Sequence, residues 1–246
     1  MGATADGPEP RARLAALCRR PEAEIPLAEA ALLIAAEEYA GLDIPGWLGH
    51  LDALAGRAAA RIGATMDVEA TAAALNRLLF EEEQFRGNDQ DYYDPRNSFL
   101  NEVLARHLGI PITLSVVYLE VATRAGVRGC GIGFPGHFLV RLERQGDTRL
   151  LDPFHGGRRL TEAECQLLLQ RLHGDTARLD PRHLQPVTPR QILVRMLNNL
   201  KGIYLTRRDW GRALAAMERM LLLDPDARDA LRGQLRAVHQ ALASRN

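Results

Sequence analysis

The spacing of apolar residues changes along the chain and divides it into three parts. Over residues 26–125 apolar side chains recur at intervals of three or four, which is typical of helices with one buried face. Over residues 127–151 apolar and polar side chains alternate, which indicates short strands. From residue 161 onward the helical spacing returns. We therefore predict an α+β fold in which helices precede and follow a small antiparallel sheet along the sequence.

Element boundaries follow from these patterns together with the turn residues. We predict helices at residues 26–39, 46–62, 68–84, 97–107, 113–125, 161–172, 191–207, 210–222 and 226–243. We predict strands at residues 127–134, 137–143 and 148–151. Gly109 suits a left-handed helix cap, and Pro111 suits the first turn of the following helix. Thr161 and Glu164 have the spacing of a capping box.

The same patterns predict three segments. Residues 1–9 are rich in Gly, Pro and Ala and are expected to be flexible. Residues 10–180 are expected to form a helical layer and a mixed core, followed by a linker at 181–188. Residues 189–246 form a helical segment whose apolar positions match a tetratricopeptide unit: Leu197, Leu200, Tyr204, Ala213, Met217, Met220 and Pro225. About one and a half repeats are present, so this segment must dock on another surface to bury its faces.

Composition excludes several classes of function. The 246 residues carry 31 Lys+Arg and 31 Asp+Glu, so no basic excess points to nucleic acid or to an anionic membrane. The three cysteines lack metal-ligand spacing and do not suggest a disulfide framework. We predict no metal site and no cofactor. With no signal pattern and no membrane-spanning apolar run, the protein is expected in the cytoplasm.

Three residues occur in the order nucleophile, base and orienting acid. Ser115 lies about one turn into a predicted helix, His137 opens a predicted strand and Asp152 closes the next. Adjacent strands are about 5 Å apart, so the histidine and the aspartate can pair while the helix approaches from one side. Each residue also has an ordinary explanation: a helix-start serine, a hydrogen-bonded strand histidine and a turn aspartate before proline.

Four ordered segments resemble the bacterial SirB-type proteins: Asp91–Asn101 (DYYDPRNSFLN), Gly109–Glu120 (GIPITLSVVYLE), Gly133–Arg141 (GFPGHFLVR) and Leu151–Gly157 (LDPFHGG). The resemblance extends over residues 75–223. It implies a transglutaminase-like, papain-like core with a helix on an antiparallel sheet. It also implies an N-terminal helical layer and a short C-terminal hairpin of tetratricopeptide helices.

The resemblance assigns roles to individual residues. Ser115 matches the position of the transglutaminase cysteine, and His137 and Asp152 match its histidine and aspartate. Further residues are expected to line the cleft: Tyr93, Arg96, Asn97, Asn101 and His155. Alternatives stay open, since the tyrosines can pack on the helical layer, Arg96 can pair with Asp94, and His155 can be an ordinary loop histidine.

Two hypotheses of function follow. Serine offers no resting thiolate, and a buried strand position is the interpretation preferred for Cys130, so no thiol replaces the missing one. The favoured hypothesis is a non-catalytic or vestigial transglutaminase-like protein that binds a protein or peptide partner. The alternative is an ester or amide hydrolase that uses Ser115, His137 and Asp152 as a triad.

Overall fold

The computed structural model describes residues 9–63 and 66–244, which form two compact units. One unit comprises residues 45–188 and holds the candidate site; the other comprises residues 9–44 and 189–244. Of the predicted flexible segment, residues 1–8 lie outside the described residues.

The helices bear out most of the predicted boundaries. They are α1 (Pro10–Cys18), α2 (Leu27–Ala36), α3 (Ile44–Arg61), α4 (Val68–Asn76), α5 (Leu100–Arg106), α6 (Pro111–Arg124), α7 (Glu162–His173), α8 (Pro189–Thr206), α9 (Trp210–Leu223) and α10 (Arg228–Ala243). A π-helical stretch, Arg77–Glu82, continues α4. Within the described chain, no helix combines the length and apolar character needed to cross a membrane.

A five-stranded antiparallel sheet forms the other layer of the larger unit. In sequence order, the strands of the described chain, two of which lie outside this sheet, are β1 (Arg86–Gly87), β2 (Leu108–Gly109), β3 (Arg128–Ile132), β4 (Leu139–Arg144), β5 (Asp147–Asp152), β6 (Arg158–Leu160) and β7 (Pro186–Val187). The sheet has the order β6-β5-β4-β3-β7, while β1 and β2 form a separate parallel pair. The three predicted strands are confirmed as β3, β4 and β5. The others have two or three residues, too few to show an alternating pattern.

Helix α6 packs against β3 and β4 and forms the centre of this unit. Its residues are buried on nearly every side, in keeping with its almost continuously apolar sequence. Helix α7 covers a further patch of the sheet through a cluster of Ile132, Phe134, Leu139, Leu160, Cys165 and Leu169. The predicted α+β class, with a helix on an antiparallel sheet, is therefore confirmed.

One helix cap differs from its prediction and another agrees with it. His107, with φ of 56°, is the left-handed residue after α5, and Gly109 instead pairs in β2. Gly109 is needed for space, because a Cβ there would lie 2.9 Å from Thr113 Oγ1. The capping box of α7 forms as predicted: the Glu164 backbone N–H donates to Thr161 Oγ1 at 3.3 Å, and the Thr161 N–H donates to the Glu164 carboxylate at 2.9 Å.

The second unit contains α1, α2 and α8–α10. Helix α2 packs on α8, and α1 packs on α9. Arg219 on α9 forms an ion pair with Glu37, and Arg212 donates to Glu38 at 2.8 Å. The predicted division placed residues 10–44 with the core, whereas the structure groups them with the C-terminal helices. The apolar face of α2 shows that it is buried, but not which helices bury it.

Candidate active site

Ser115 is the fifth residue of α6 and is completely buried. Its Oγ has no hydrogen-bond partner among residues 9–63 and 66–244, so it makes no bond to His137. The unpaired N–H groups of a helix belong to its first turn, and Ser115 lies beyond them. The hydroxyl therefore has neither the exposure nor the base contact that a serine nucleophile requires.

His137 and Asp152 form the pair that the sequence predicts. Nε2 of His137 lies 2.9 Å from each carboxylate oxygen of Asp152, and both side chains are buried. Val140 pairs with Leu151 across β4 and β5, so the residues just before β4 lie beside the end of β5. The two residues predicted as base and orienting acid are thus in contact.

Asp152 accepts additional hydrogen bonds that the sequence did not predict. Nδ1 of His155 lies 2.7 Å from Oδ2, and the Phe154 backbone N–H donates to Oδ1 at 3.1 Å. The His155 side chain is 53% exposed, whereas His137 is buried. The potential ligand atoms of His137, Asp152 and His155 all lie within 4.8 Å of one another, a donor set able to hold a metal ion. The only sequence signal was the three-residue spacing from Asp152 to His155.

These contacts set the protonation of Asp152. Burial by itself raises the pKa of this carboxyl, but the hydrogen bonds and charges of His137 and then of His155 outweigh it and hold the pKa below its ordinary value. The carboxylate is consequently ionised at neutral pH and accepts from its neighbours.

A pH dependence of stability follows from this lowered pKa. Near pH 4 the unfolded chain binds more protons at Asp152 than the folded chain, so this contribution is present above an unfolded pKa of about 3.9 and is lost as pH falls through the folded pKa. We expect the difference in unfolding free energy between wild type and Asp152→Asn to shrink from about pH 5 to about pH 3. Urea denaturation at a series of pH values measures it. A difference independent of pH would contradict the lowered pKa.

The polar loop before α5 is held by its own side chains. Arg96 pairs with Asp94 at 2.7 Å, the alternative considered for this residue, and Asp94 also caps the turn at the Arg96 N–H. Asn97 is fully buried and donates to the Asp91 carbonyl at 2.7 Å. Asn101 is buried as well. Asn97 and Asn101 thus lie inside the protein and do not line an open surface, and Asn97 supplies internal partners for the loop backbone.

A series of ring contacts leads from the exposed Tyr93 to His137 and His155. Tyr93 is 71% exposed and packs edge-on against Tyr92, with ring centroids 5.3 Å apart. Tyr92 packs against Phe154 at 6.2 Å, and Phe154 packs against His137 at 6.0 Å and His155 at 5.1 Å. We call Tyr92, Tyr93 and His155, together with the buried Phe154 that contacts Tyr92 and His155, the aromatic surface. Of the predicted cleft residues, Tyr93 and His155 belong to it.

Comparison with known proteins shows the family. The model of a family described as "Transglutaminase-like superfamily" matches residues 46–198, more than half of the chain. The chain belongs to the transglutaminase-like superfamily. A UPF0162 protein of Xylella fastidiosa (strain 9a5c) is 39% identical over 211 residues, covering 85% of this chain and 75% of that protein.

Two further relatives of this superfamily member have lower identity. A UPF0162 protein of Pseudomonas aeruginosa is 35% identical over 202 residues, covering 81% of this chain and 72% of that protein. The mouse protein named F-box only protein 21 is 35% identical over 138 residues, covering 53% of this chain and 21% of that protein. No solved structure matches the chain.

Three residues that the sequence analysis did not single out hold the site together. Tyr118, one turn after Ser115 on α6, donates from its hydroxyl to Asn76 Oδ1 at 3.0 Å. Asn76 Nδ2 donates in turn to the carbonyl of Gly157 at 2.9 Å. Burial raises the pKa of Tyr118 well above its usual value, so it remains a donor. This network ties the loop carrying Asp152 and His155 to α6 and α4.

Two buried hydroxyls on α6 provide a matched test of the site. Thr113 Oγ1 donates to the Asn97 carbonyl at 2.7 Å and accepts from the Ile110 N–H at 3.1 Å, whereas Ser115 Oγ has no partner in the described chain. We expect Thr113→Val to lower the unfolding free energy by about 1–3 kcal/mol, because it leaves buried groups unpaired. We expect Ser115→Ala to change it by less than about 1 kcal/mol in either direction.

Urea denaturation of both variants measures this contrast. A loss on Ser115→Ala as large as that on Thr113→Val would show that the serine hydroxyl is bonded in the folded protein, as a triad requires.

Proposed function

We propose that this superfamily member is non-catalytic and binds a protein or peptide partner. The observation that carries the proposal is the Ser115 hydroxyl, which is buried and makes no hydrogen bond to His137. A serine nucleophile must lose its proton to a base as it attacks, so a hydroxyl without such a base is inert. The superfamily fold alone does not bring an activity with it.

The aromatic surface is the binding site we propose. Tyr93 is largely exposed, and its ring contacts Tyr92, which in turn contacts Phe154. Phe154 packs against His137 and His155. Tyrosine is enriched at protein interfaces because it combines a rigid apolar ring with a polar tip. The formal net charge of +0 favours a partner recognised by aromatic contacts over a strongly charged one.

We also propose that the chain is of the SirB type, that α8–α10 are tetratricopeptide-like and that the protein works in the cytoplasm. Support for the first comes from burial of the residues with repeat spacing, including Leu197, Ala213 and Met217. Support for the second comes from three cysteines that form no disulfide in the described chain.

The first test asks whether Ser115 is reactive. A fluorophosphonate serine probe is incubated with the purified protein, and modified peptides are mapped by mass spectrometry. We expect no modification of Ser115 above that of a denatured sample, because the hydroxyl is buried. Modification of the folded protein that disappears in both Ser115→Ala and His137→Ala would overturn the non-catalytic proposal.

That outcome would favour the alternative, a serine hydrolase acting on ester or amide bonds. One specific observation supports it: the buried pair of His137 and Asp152, 2.9 Å apart, has the arrangement of a general base and its orienting acid. Such an enzyme would need a conformation in which Ser115 reaches His137.

The second test concerns the partner. A photoreactive amino acid replaces Tyr93 in the full chain expressed in bacterial cells, and the matched control carries it at Arg182, which is 87% exposed on the same unit. We expect a discrete crosslinked protein from position 93 only. No adduct, or the same adducts from both positions, would count against a partner at the aromatic surface.

A further inference from the structure

A second histidine beside the pair of His137 and Asp152 has no role in a triad. A triad uses one imidazole per carboxylate, yet here Nε2 of His137 and Nδ1 of His155 both face the Asp152 carboxylate. We propose that His137, Asp152 and His155 form a binding site for a divalent transition metal ion. The proposal does not depend on partner binding, and it differs from the sequence expectation of no metal site.

The donor set suits such an ion. Two imidazole nitrogens and one carboxylate oxygen are the ligands that Zn²⁺ and Fe²⁺ take in open sites, where a further position is left for water or a bound group. The three potential ligand atoms already lie within 4.8 Å of one another. Two of them are positioned by the sheet, since Asp152 ends β5 and His137 lies just before β4.

The two nitrogen–oxygen spacings require only a small adjustment. Ligand atoms about 2.0–2.2 Å from a tetrahedral zinc ion are about 3.3 Å apart. The nitrogen–oxygen distances are 2.9 Å for His137 and 2.7 Å for His155, so each pair must separate by roughly half an ångström. The His155 side chain is 53% exposed and has room to move.

The surroundings of these residues resemble the support that metal ligands receive. The Phe154 N–H donates to Asp152 Oδ1 at 3.1 Å and orients the carboxylate. The Phe154 ring packs edge-on against both imidazoles, which reduces the access of water on that side. His137 and Asp152 are buried, so the exposed His155 marks the side from which an ion enters.

Binding would place the ion between the two imidazoles and the carboxylate. Nε2 of His137 and Nδ1 of His155, which face the carboxylate, must each offer a lone pair to the ion.

The test uses Zn²⁺ alone as the probe. The full chain is treated with a chelator, dialysed and titrated with Zn²⁺ by isothermal calorimetry. We expect one saturable ion per chain, and a loss of affinity of at least about tenfold in His155→Ala. His155→Asn keeps a side chain able to donate to Asp152 but removes the imidazole ligand, so it should lose Zn²⁺ to the same extent. His239→Ala, an exposed histidine of α10, is the matched control and should bind as wild type.

Co²⁺ identifies the ligands independently. We expect Co²⁺ bound to nitrogen and oxygen ligands to absorb visible light in wild type, and we expect this absorption to be absent in His155→Ala. No saturable Zn²⁺ binding, binding unchanged by both His155 variants, or a thiolate-to-cobalt band from the cysteines would each overturn the proposal. Failure here leaves the probe and crosslinking results unaffected, so the metal site and the proposed function are tested separately.

Discussion

Replacing Gly157 with alanine should destabilise the site-bearing unit by more than about 3 kcal/mol. Gly157 has φ of 72°, and a left-handed backbone costs an alanine about 1–2 kcal/mol. An added Cβ would also lie 2.1 Å from Asn76 Oδ1, well inside van der Waals contact. Asn76 must then move, which breaks its bonds to the Gly157 carbonyl and to Tyr118 and leaves buried groups unpaired.

Gly156 is the matched control for this prediction. It has φ of 68° but is exposed, and a Cβ there would meet nothing within 4 Å. We expect Gly156→Ala to cost only about 1–2 kcal/mol from backbone strain. Equal losses for both variants would show that the contact with Asn76 does not contribute.

The two tryptophans allow the measurement to be restricted to the correct unit. Trp47 lies in the unit of residues 45–188 and Trp210 in the other. In a Trp210→Phe background, fluorescence during urea denaturation reports the unit that holds the site. Because the loop of Gly157 also carries Asp152 and His155, Gly157→Ala should weaken Zn²⁺ binding as well, while Gly156→Ala should not.

Removing the Asp152 carboxylate should have a comparably large effect. Asp152→Ala removes the carboxylate that lies 2.9 Å from Nε2 of the buried His137 and that accepts from the Phe154 N–H. Breaking a buried pair from one side costs about 3–5 kcal/mol, because water does not replace the lost carboxylate inside the protein. We expect a loss of that size in the same fluorescence assay.

His155→Ala provides the comparison. It removes a bond to the same carboxylate, 2.7 Å long, but from a side chain that is 53% exposed. Water can replace such a partner, so we expect a loss of about 1 kcal/mol or less. A large loss in His155→Ala, or a small one in Asp152→Ala, would contradict the burial assigned to this pair.

The residues of the candidate site differ in their contacts. His137 and Asp152 are in contact, whereas Ser115 of α6 is buried and its Oγ has no hydrogen-bond partner in the described chain. A carboxylate and two imidazoles lie beside Phe154, whose ring also contacts the exposed Tyr92. Partner recognition and metal coordination at this place are the functions we propose.

The sequence alone determined the elements of the core and the pairing of two site residues. The alternating pattern identified β3, β4 and β5, and their order places the chain before β4 beside the end of β5. Contact between His137 and Asp152 follows from that neighbouring pair of strands. Such features are local, because apolar periodicity and turn residues act over a few positions.

Only the tertiary structure decided the environment of each side chain. The helical pattern of α6 could not show that Ser115 is enclosed, because the elements that surround it come from distant parts of the chain. The bond from Asn76 to Gly157 joins residues 81 positions apart. The contact of His155 with Asp152 depends on the turn after β5. The packing of α2 on α8 depends on which helix faces meet. Sequence patterns indicate which apolar face of an element is buried, whereas packing determines the partners of each side chain.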